Sequence, residues 1–169
     1  MRCIRNKESK MKANMQGINT EVVHMLDNKH LHISAAESCT GGLFAALITD
    51  VPGAADVLNE SFVTYANSAK EKHLGVKHET LETVGAVSRE TAYEMATGLH
   101  ERTGADVCVG ITGIAGPTGG TPEKPVGLVY AGIYINGNTE VIEMHHEGDR
   151  EDVREKTCYE VFKYIREHI

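Results

Sequence analysis

One nine-residue stretch limits the folds open to this chain: Ala35-Ala36-Glu37-Ser38-Cys39-Thr40-Gly41-Gly42-Leu43. A β-leaning run, His32-Ile33-Ser34-Ala35-Ala36, leads into it, and a helix-compatible run, Leu43–Ile48, leads out. A strand that turns into a helix within a few small residues is the repeating unit of layered α/β domains. Unpaired N–H groups at such a turn can face an anion or a nucleophile's substrate. The two glycines permit close approach of a ligand or another backbone. On these residues alone the stretch reads equally as an ordinary tight βα connection.

The rest of the pattern extends the α/β reading. Val22, Val23 and Leu26 share a helical face between Thr20 and Lys29, with Thr20 as its cap. Val51-Pro52-Gly53 stops the helix after Ser38, and Ala54–Asn59 is a short helical or irregular piece. Ser61–Tyr65 reads as a strand, followed by a helix Ser68–Leu74 capped by Asn67 and closed by Gly75. A short helix is expected over Thr80–Thr83. Ser88 caps the clearest helix, Arg89–Arg102, whose Ala92, Met95, Ala96 and Leu99 recur at helical spacing. Two strands, Asp106–Ile111 and Val126–Ile135, flank the loop Thr112–Thr121. Asn136-Gly137-Asn138 turns the chain back along Glu140–His145, and Asp149 caps a last helix, Arg150–Glu167. The sum is a mixed, mostly parallel sheet with helices on both faces. Residues 1–15 are basic, lack the apolar run of a secretory signal and read as a disordered extension; 16–169 form one domain.

Composition narrows the partners. The 169 residues carry a net charge of −7 and no Trp, which argues against a nucleic-acid module. No apolar run approaches the roughly 20 residues of a membrane span. Cys3, Cys39, Cys108 and Cys158 form no C-x-x-C pair and read as reduced thiols of a cytoplasmic protein. His145-His146 offers two metal ligands without a third at suitable spacing, so no metal and no cofactor is expected.

Chemistry concentrates in two loops, the Ser38 turn and the glycine-rich stretch after Ile111. If their strands are parallel, both loops lie at the carboxyl edge of the sheet, where open α/β sheets bind ligands. The second loop is neither a Walker A nor a dinucleotide fingerprint. It can cradle an anion with backbone N–H groups or simply be flexible. Ser38 lacks a G-x-S-x-G setting, so a hydrolase triad is not expected. Lysine is the alternative base. Lys70 falls in a helix first turn, where the dipole lowers its pKa, and Tyr65 is placed to relay a proton or hold the amine. From composition alone the same two residues read rather as a solvated surface lysine and a half-buried packing tyrosine.

Four blocks in collinear order then resemble one family. They are Ala36–Leu43, Phe62–Lys70, Gly110–Pro117 with Gly119-Gly120, and Lys124–Gly127; Gly148-Asp149-Arg150 and Arg154 on the last helix are also similar. Together they resemble the CinA C-terminal domain family of competence-damage-inducible proteins, which includes stand-alone nicotinamide-nucleotide amidases. The resemblance covers about residue 16 onward. It implies a three-layer α/β/α sandwich and an amidohydrolase that converts nicotinamide mononucleotide to nicotinate mononucleotide and ammonia without metal. It places the nucleophile at Ser38, with Lys70 as base and Tyr65 as their connecting partner. Thr40, Gly41, Gly42, Asn67, Thr112, Gly113, Ala115, Gly116, Gly119, Gly120 and Arg150 are the substrate-binding candidates. Arg154 is an alternative phosphate ligand. Cys39, beside the nucleophile, becomes a packing residue. A site shared between subunits would need a homo-oligomer, which is the expected state. A catalytically silent domain that binds pyridine nucleotides is the alternative. Many relatives carry an additional N-terminal domain, and no activity of such a domain is expected from these residues.

Overall fold

A computed structural model describes residues 17–169. The expectation for residues 1–15, and Cys3 with it, lies outside the described residues. Helix α1 covers 17–28 and leads into β1 (Ile33–Glu37). Then follow α2 (Leu43–Thr49), a 3₁₀ turn at Ala54–Asp56 and β2 (Leu58–Val63). The chain continues through α3 (Asn67–Leu74), α4 (His78–Thr83) and α5 (Arg89–Thr103). It ends with β3 (Val107–Gly113), β4 (Leu128–Ile135), β5 (Asn138–His145) and α6 (Arg150–His168).

The five strands lie in the order β2-β1-β3-β4-β5. β1 pairs in parallel with both β2 and β3, whereas β4 is antiparallel to β3 and β5. Four strands therefore point one way and β4 alone is reversed. All five residues of β1 are buried, as expected for a central parallel strand covered on both faces. On one face Val22, Leu26, Phe44, Ile48, Val161 and Phe162 pack against Val107, Val109 and Ile111, so α1, α2 and α6 form one layer. On the other, Leu74, Leu81, Met95 and Leu99 cover Ala36 and Cys108, so α3, α4 and α5 form the second. This is a three-layer α/β/α sandwich.

Glycine sets how closely α5 sits on the sheet. A Cβ on Gly110 would lie 2.7 Å from the Ala96 nitrogen, and one on Gly132 would lie 2.1 Å from the Ala92 carbonyl oxygen. On the opposite side of α5, a Cβ on Gly98 would lie 1.7 Å from the Leu74 carbonyl oxygen, so α3 docks by backbone contact. That contact fixes the height of α3 over the sheet edge, and α3 carries Lys70.

Several boundaries differ from the sequence reading. Thr20 lies inside α1 and does not cap it, because Ile18 and Asn19 are already helical and buried, with the Asn19 amide donating to the Leu47 carbonyl (2.7 Å). Asn67 is the first residue of α3, and the cap is Ala66, which offers no side-chain acceptor. β2 begins at Leu58 and ends at Val63, so Tyr65 lies beyond it; as an edge strand it has little apolar alternation to mark its ends. Ser88 and Asp149 do cap their helices, Asp149 in a reciprocal arrangement with Asp152.

Alanine for glycine usually stabilises a helix interior by about 1 kcal/mol. At Gly98 the sign reverses: Gly98→Ala is expected to lower unfolding free energy in urea by about 3 kcal/mol, through overpacking against Leu74. No change, or a gain, would contradict the backbone docking of α3.

Candidate active site

Parallel pairing brings the candidate groups together. The Ser38 amide donates to the Ile111 carbonyl (3.0 Å) and the Thr64 amide to the Glu37 carbonyl (2.9 Å), so the ends of β3, β1 and β2 lie side by side. Ser38 sits on the first residue after β1, 9% exposed. Lys70 rises from α3 beneath it, 1% exposed. Its Nζ lies 3.2 Å from Ser38 Oγ, 2.8 Å from the Thr64 carbonyl oxygen and 3.2 Å from the Tyr65 carbonyl oxygen. A neutral amine has two N–H donors and one lone pair. Two donors on the two carbonyls leave the lone pair for the Ser38 hydroxyl proton.

Burial lowers the pKa of Lys70 from its ordinary 10.5, opposed in part by the nearby Cys39 thiol. Desolvation, rather than the helix dipole invoked from sequence, is the leading cause. Cys39 is buried, and its thiol is pushed up to about 12, chiefly by burial. It stays protonated at neutral pH and does not rival Ser38 as a nucleophile.

Tyr65 needs correction. Its backbone carbonyl, not its hydroxyl, meets Lys70, because the side chain turns outward past the end of β2 and is 61% exposed. The hydroxyl instead accepts from Arg150 Nη2 (3.2 Å), while Arg150 Nη1 donates to the Gly116 carbonyl (2.9 Å). Arg150, the first residue of α6, thus joins the two banks of the site. Arg154, one turn further, aims Nε and Nη2 at the Thr40 carbonyl (3.1 and 2.7 Å). Among the described residues neither arginine forms a salt bridge with a carboxylate. In a chain of net charge −7, two guanidinium groups at one sheet edge, held there by neutral oxygens, favour an anionic ligand.

Glu37 is the residue that sequence reasoning missed. Its carboxylate is fully buried and accepts from the amides of Gly42 (3.0 Å), Phe44 (3.1 Å) and Ala45 (2.9 Å). Gly42, the N-cap of α2, has no side chain, so Glu37 satisfies the helix start from the preceding strand. A carboxylate in a strand of otherwise uncharged, small and apolar residues was the available signal. The consequence reaches the proposed anion seat: α2 already holds a negative charge at its N-terminus. Within the turn, the Gly41 amide donates to the Ser38 carbonyl and the Leu43 amide to the Thr40 carbonyl. The Thr40 amide stands outside these backbone bonds and is a candidate oxyanion donor, whereas the Cys39 amide faces its own thiol.

The remaining candidates spread around this centre. Thr40 is buried and its hydroxyl has no partner, as is true of Thr64. Gly41 and Asn67 are exposed. Thr112 is not aimed at a ligand; its hydroxyl donates to the Ala86 carbonyl (2.7 Å) on the α5 side of the sheet. Gly113 is the last residue of β3, where a Cβ would come within 2.7 Å of Val129. Ala115 and Gly116 are buried beside Arg150, whereas Gly119 and Gly120 are exposed. An open depression lined by Ala115, Pro117, Val126, Gly148, Asp149, Arg150 and Glu151 adjoins the site through Arg150. His145 and His146 do not act as a pair: His145 bonds Glu143 (2.9 Å), and the His146 Nε2 is buried without a partner. Among the described residues no cluster of three His, Cys, Asp or Glu is placed to hold a metal, and no helix is long and apolar enough to cross a membrane.

Removing the Glu37 carboxylate strands three amide donors. Glu37→Ala is expected to cost about 3 kcal/mol or more in urea unfolding, and Glu37→Gln about half as much. An unaffected midpoint in Glu37→Ala would contradict its role in seating the turn.

Comparison with known proteins places this geometry in context. The model of the CinA C-terminal domain family matches residues 15–169. A CinA-like protein of Kosmotoga olearia is 52% identical over 145 residues, which is 86% of this chain and 35% of that protein. The chain thus spans about a third of the length of that curated relative. Among solved structures, the competence/damage inducible protein CihA from Agrobacterium tumefaciens superposes with a TM-score of 0.87 at 42% identity, covering 90% of this chain and 93% of the other. The CinA superfamily protein ECK1530/EC0983 from Escherichia coli gives 0.88 at 34% identity, covering 92% and 90%. A family model spanning nearly the whole chain, with the same fold in relatives above 30% identity, settles the assignment: the chain belongs to the CinA C-terminal domain family.

Proposed function

We propose that this domain is an amidohydrolase that removes ammonia from the carboxamide of nicotinamide mononucleotide, with Ser38 as nucleophile and Lys70 as base. The observation that carries it is the 3.2 Å contact between Ser38 Oγ and a lysine amine that is 1% exposed and depressed in pKa. A neutral lysine costs a protein binding energy and solvation that a passive binding module has no use for. The family's inclusion of nicotinamide-nucleotide amidases supports the substrate class. Arg150 and Arg154 supply the positive charge that a phosphate-bearing substrate requires.

The residues divide the work as follows. Lys70 takes the Ser38 hydroxyl proton as Oγ attacks the carboxamide carbon. The carbonyl oxygen gains the electron pair, with the Thr40 amide as its candidate donor. Collapse re-forms the carbonyl and expels nitrogen, and Lys70 returns its proton so that ammonia leaves. Water, deprotonated by Lys70, then attacks the acyl ester, the bond from the acyl carbon to Ser38 Oγ breaks, Lys70 returns the proton to Oγ, and nicotinate mononucleotide departs. Tyr65 contributes its carbonyl to hold the amine, and its hydroxyl steadies Arg150 at the mouth. The three described cysteines are free and buried, which fits work in the cytoplasm.

Turnover of nicotinamide mononucleotide without added metal tests this directly. Ser38→Ala and Lys70→Met are each expected to lower kcat by about 10³-fold or more with the fold intact. Lys70 must be neutral to act, so kcat/KM is expected to rise with pH and level off above the Lys70 pKa, at a midpoint below 10.5. A profile that falls through the same range, or activity surviving in Ser38→Ala, would contradict the mechanism.

Arg150→Ala is expected to raise KM for the nucleotide by roughly 10- to 100-fold, since a charge-assisted contact contributes about 1.5–3 kcal/mol. The corresponding riboside, which lacks the phosphate, should be turned over poorly by the wild type and little affected by the substitution. An equal loss on both substrates would place Arg150 away from the phosphate.

A further inference from the structure

The glycine-rich segment 114–127 is closed at its base by the Ile114 amide on the Leu128 carbonyl (2.9 Å) and the Gly127 amide on the Ile114 carbonyl (2.8 Å). Arg150 holds its Gly116 carbonyl from the site side. Its far end is held differently. Lys124 Nζ donates to the carbonyls of Val84 (2.6 Å) and Val87 (2.7 Å), in the link between α4 and α5. Between these two acceptors, the Gly85 carbonyl takes the Ser88 and Thr91 hydroxyls (both 2.9 Å), and the Ala86 carbonyl takes Thr112 (2.7 Å). Four consecutive carbonyls thus point at side-chain donors, and two of those donors are Thr112, just before the glycine-rich segment, and Lys124, in its C-terminal part. Such a link offers a cation a seat with no carboxylate in it. Lys124 is itself locked into a tight turn, its amide on Thr121 Oγ1 (3.1 Å) and its carbonyl accepting the Thr121 amide (2.8 Å).

We propose that Lys124 is a positioning residue: by latching the far end of the glycine-rich segment to the Val84–Val87 link, it holds Gly116 and Arg150 where the substrate's anionic end must bind. The functional half rests on the amidase reading; the latch itself does not. Pro117 through Glu123 are all exposed, and Thr121 and Lys124 supply the side-chain hydrogen bonds that fix this half of the segment. With Arg150 on one end and Lys124 on the other, the segment has two defined ends and a free middle. Lys124 touches neither Ser38 nor Lys70, so its loss should leave the chemical step intact and weaken binding.

The test compares the wild type with Lys124→Met and Lys124→Arg. Hydrogen exchange of the unliganded chain reads the latch. Lys124→Met is expected to speed exchange at the Ile114, Thr121 and Gly127 amides by tenfold or more, with β1 and α5 unchanged. Lys124→Arg, which keeps the charge and can still reach a carbonyl, should recover most of the protection. Kinetics with nicotinamide mononucleotide read the function: KM about tenfold higher in Lys124→Met, kcat within twofold, and KM largely restored in Lys124→Arg. Unchanged exchange overturns the latch whether or not the chain turns the nucleotide over. Faster exchange with unchanged KM in an active enzyme overturns the positioning role. A fall in kcat without a rise in KM does so as well. A wild type without turnover defeats the amidase reading separately, and exchange then still decides for or against the latch.

Discussion

An amine inside a protein is costly unless its hydrogen bonds are met, and at Lys70 they are met by the backbone at the end of β2. The Thr64 and Tyr65 carbonyls are available because the strand stops there and the chain swings into α3. The helix in turn reaches the right height because Gly98 lets it touch α5 by backbone. Ser38 completes the coordination from the neighbouring strand. Strand order, helix docking and the absence of one Cβ therefore converge on a single nitrogen. Burial keeps its pKa down, and burial also silences Cys39 by pushing the adjacent thiol up. One environment thus favours the lysine as base and disables the competing nucleophile.

Charge is partitioned around the turn with the same economy. The start of α2 is where an α/β protein commonly seats an anion. Here Glu37 occupies that position from within and takes three amides. Positive charge is supplied instead by α6, whose first residue reaches over the mouth and whose fifth clamps the Thr40 carbonyl. The turn is consequently held rigid by a carboxylate below and a guanidinium above. On the amidase reading proposed above, Arg150 rather than the α2 N-terminus is the seat for a substrate's anionic end.

Much of this was legible in the sequence because it depends on periodicity and on turn residues. The β1–α2 turn, the α5 face and the caps at Ser88 and Asp149 follow from spacing and capping chemistry. So does the shared sheet edge, once β1 and β3 are parallel. What was not legible depends on side-chain direction at element ends. Tyr65 was expected to meet Lys70 and does so, but through the carbonyl, because β2 ends two residues earlier than its composition suggests. Thr112 was expected to face a ligand, yet strand alternation turns it to the α5 side. Glu37 escaped notice because a lone carboxylate in a strand normally marks an exposed position, and only the tertiary fold reveals the three amides that it serves.

The state of the Lys70 amine is the quantity on which the chemistry turns. It can be followed without substrate by nuclear magnetic resonance titration of the lysine side-chain carbons, with the Lys70 signal assigned by its absence in Lys70→Met. A midpoint displaced below the ordinary lysine value, and moved by Ser38→Ala, is the result that a buried Ser38–Lys70 pair predicts. An unshifted midpoint of about 10.4, indifferent to Ser38, would contradict it.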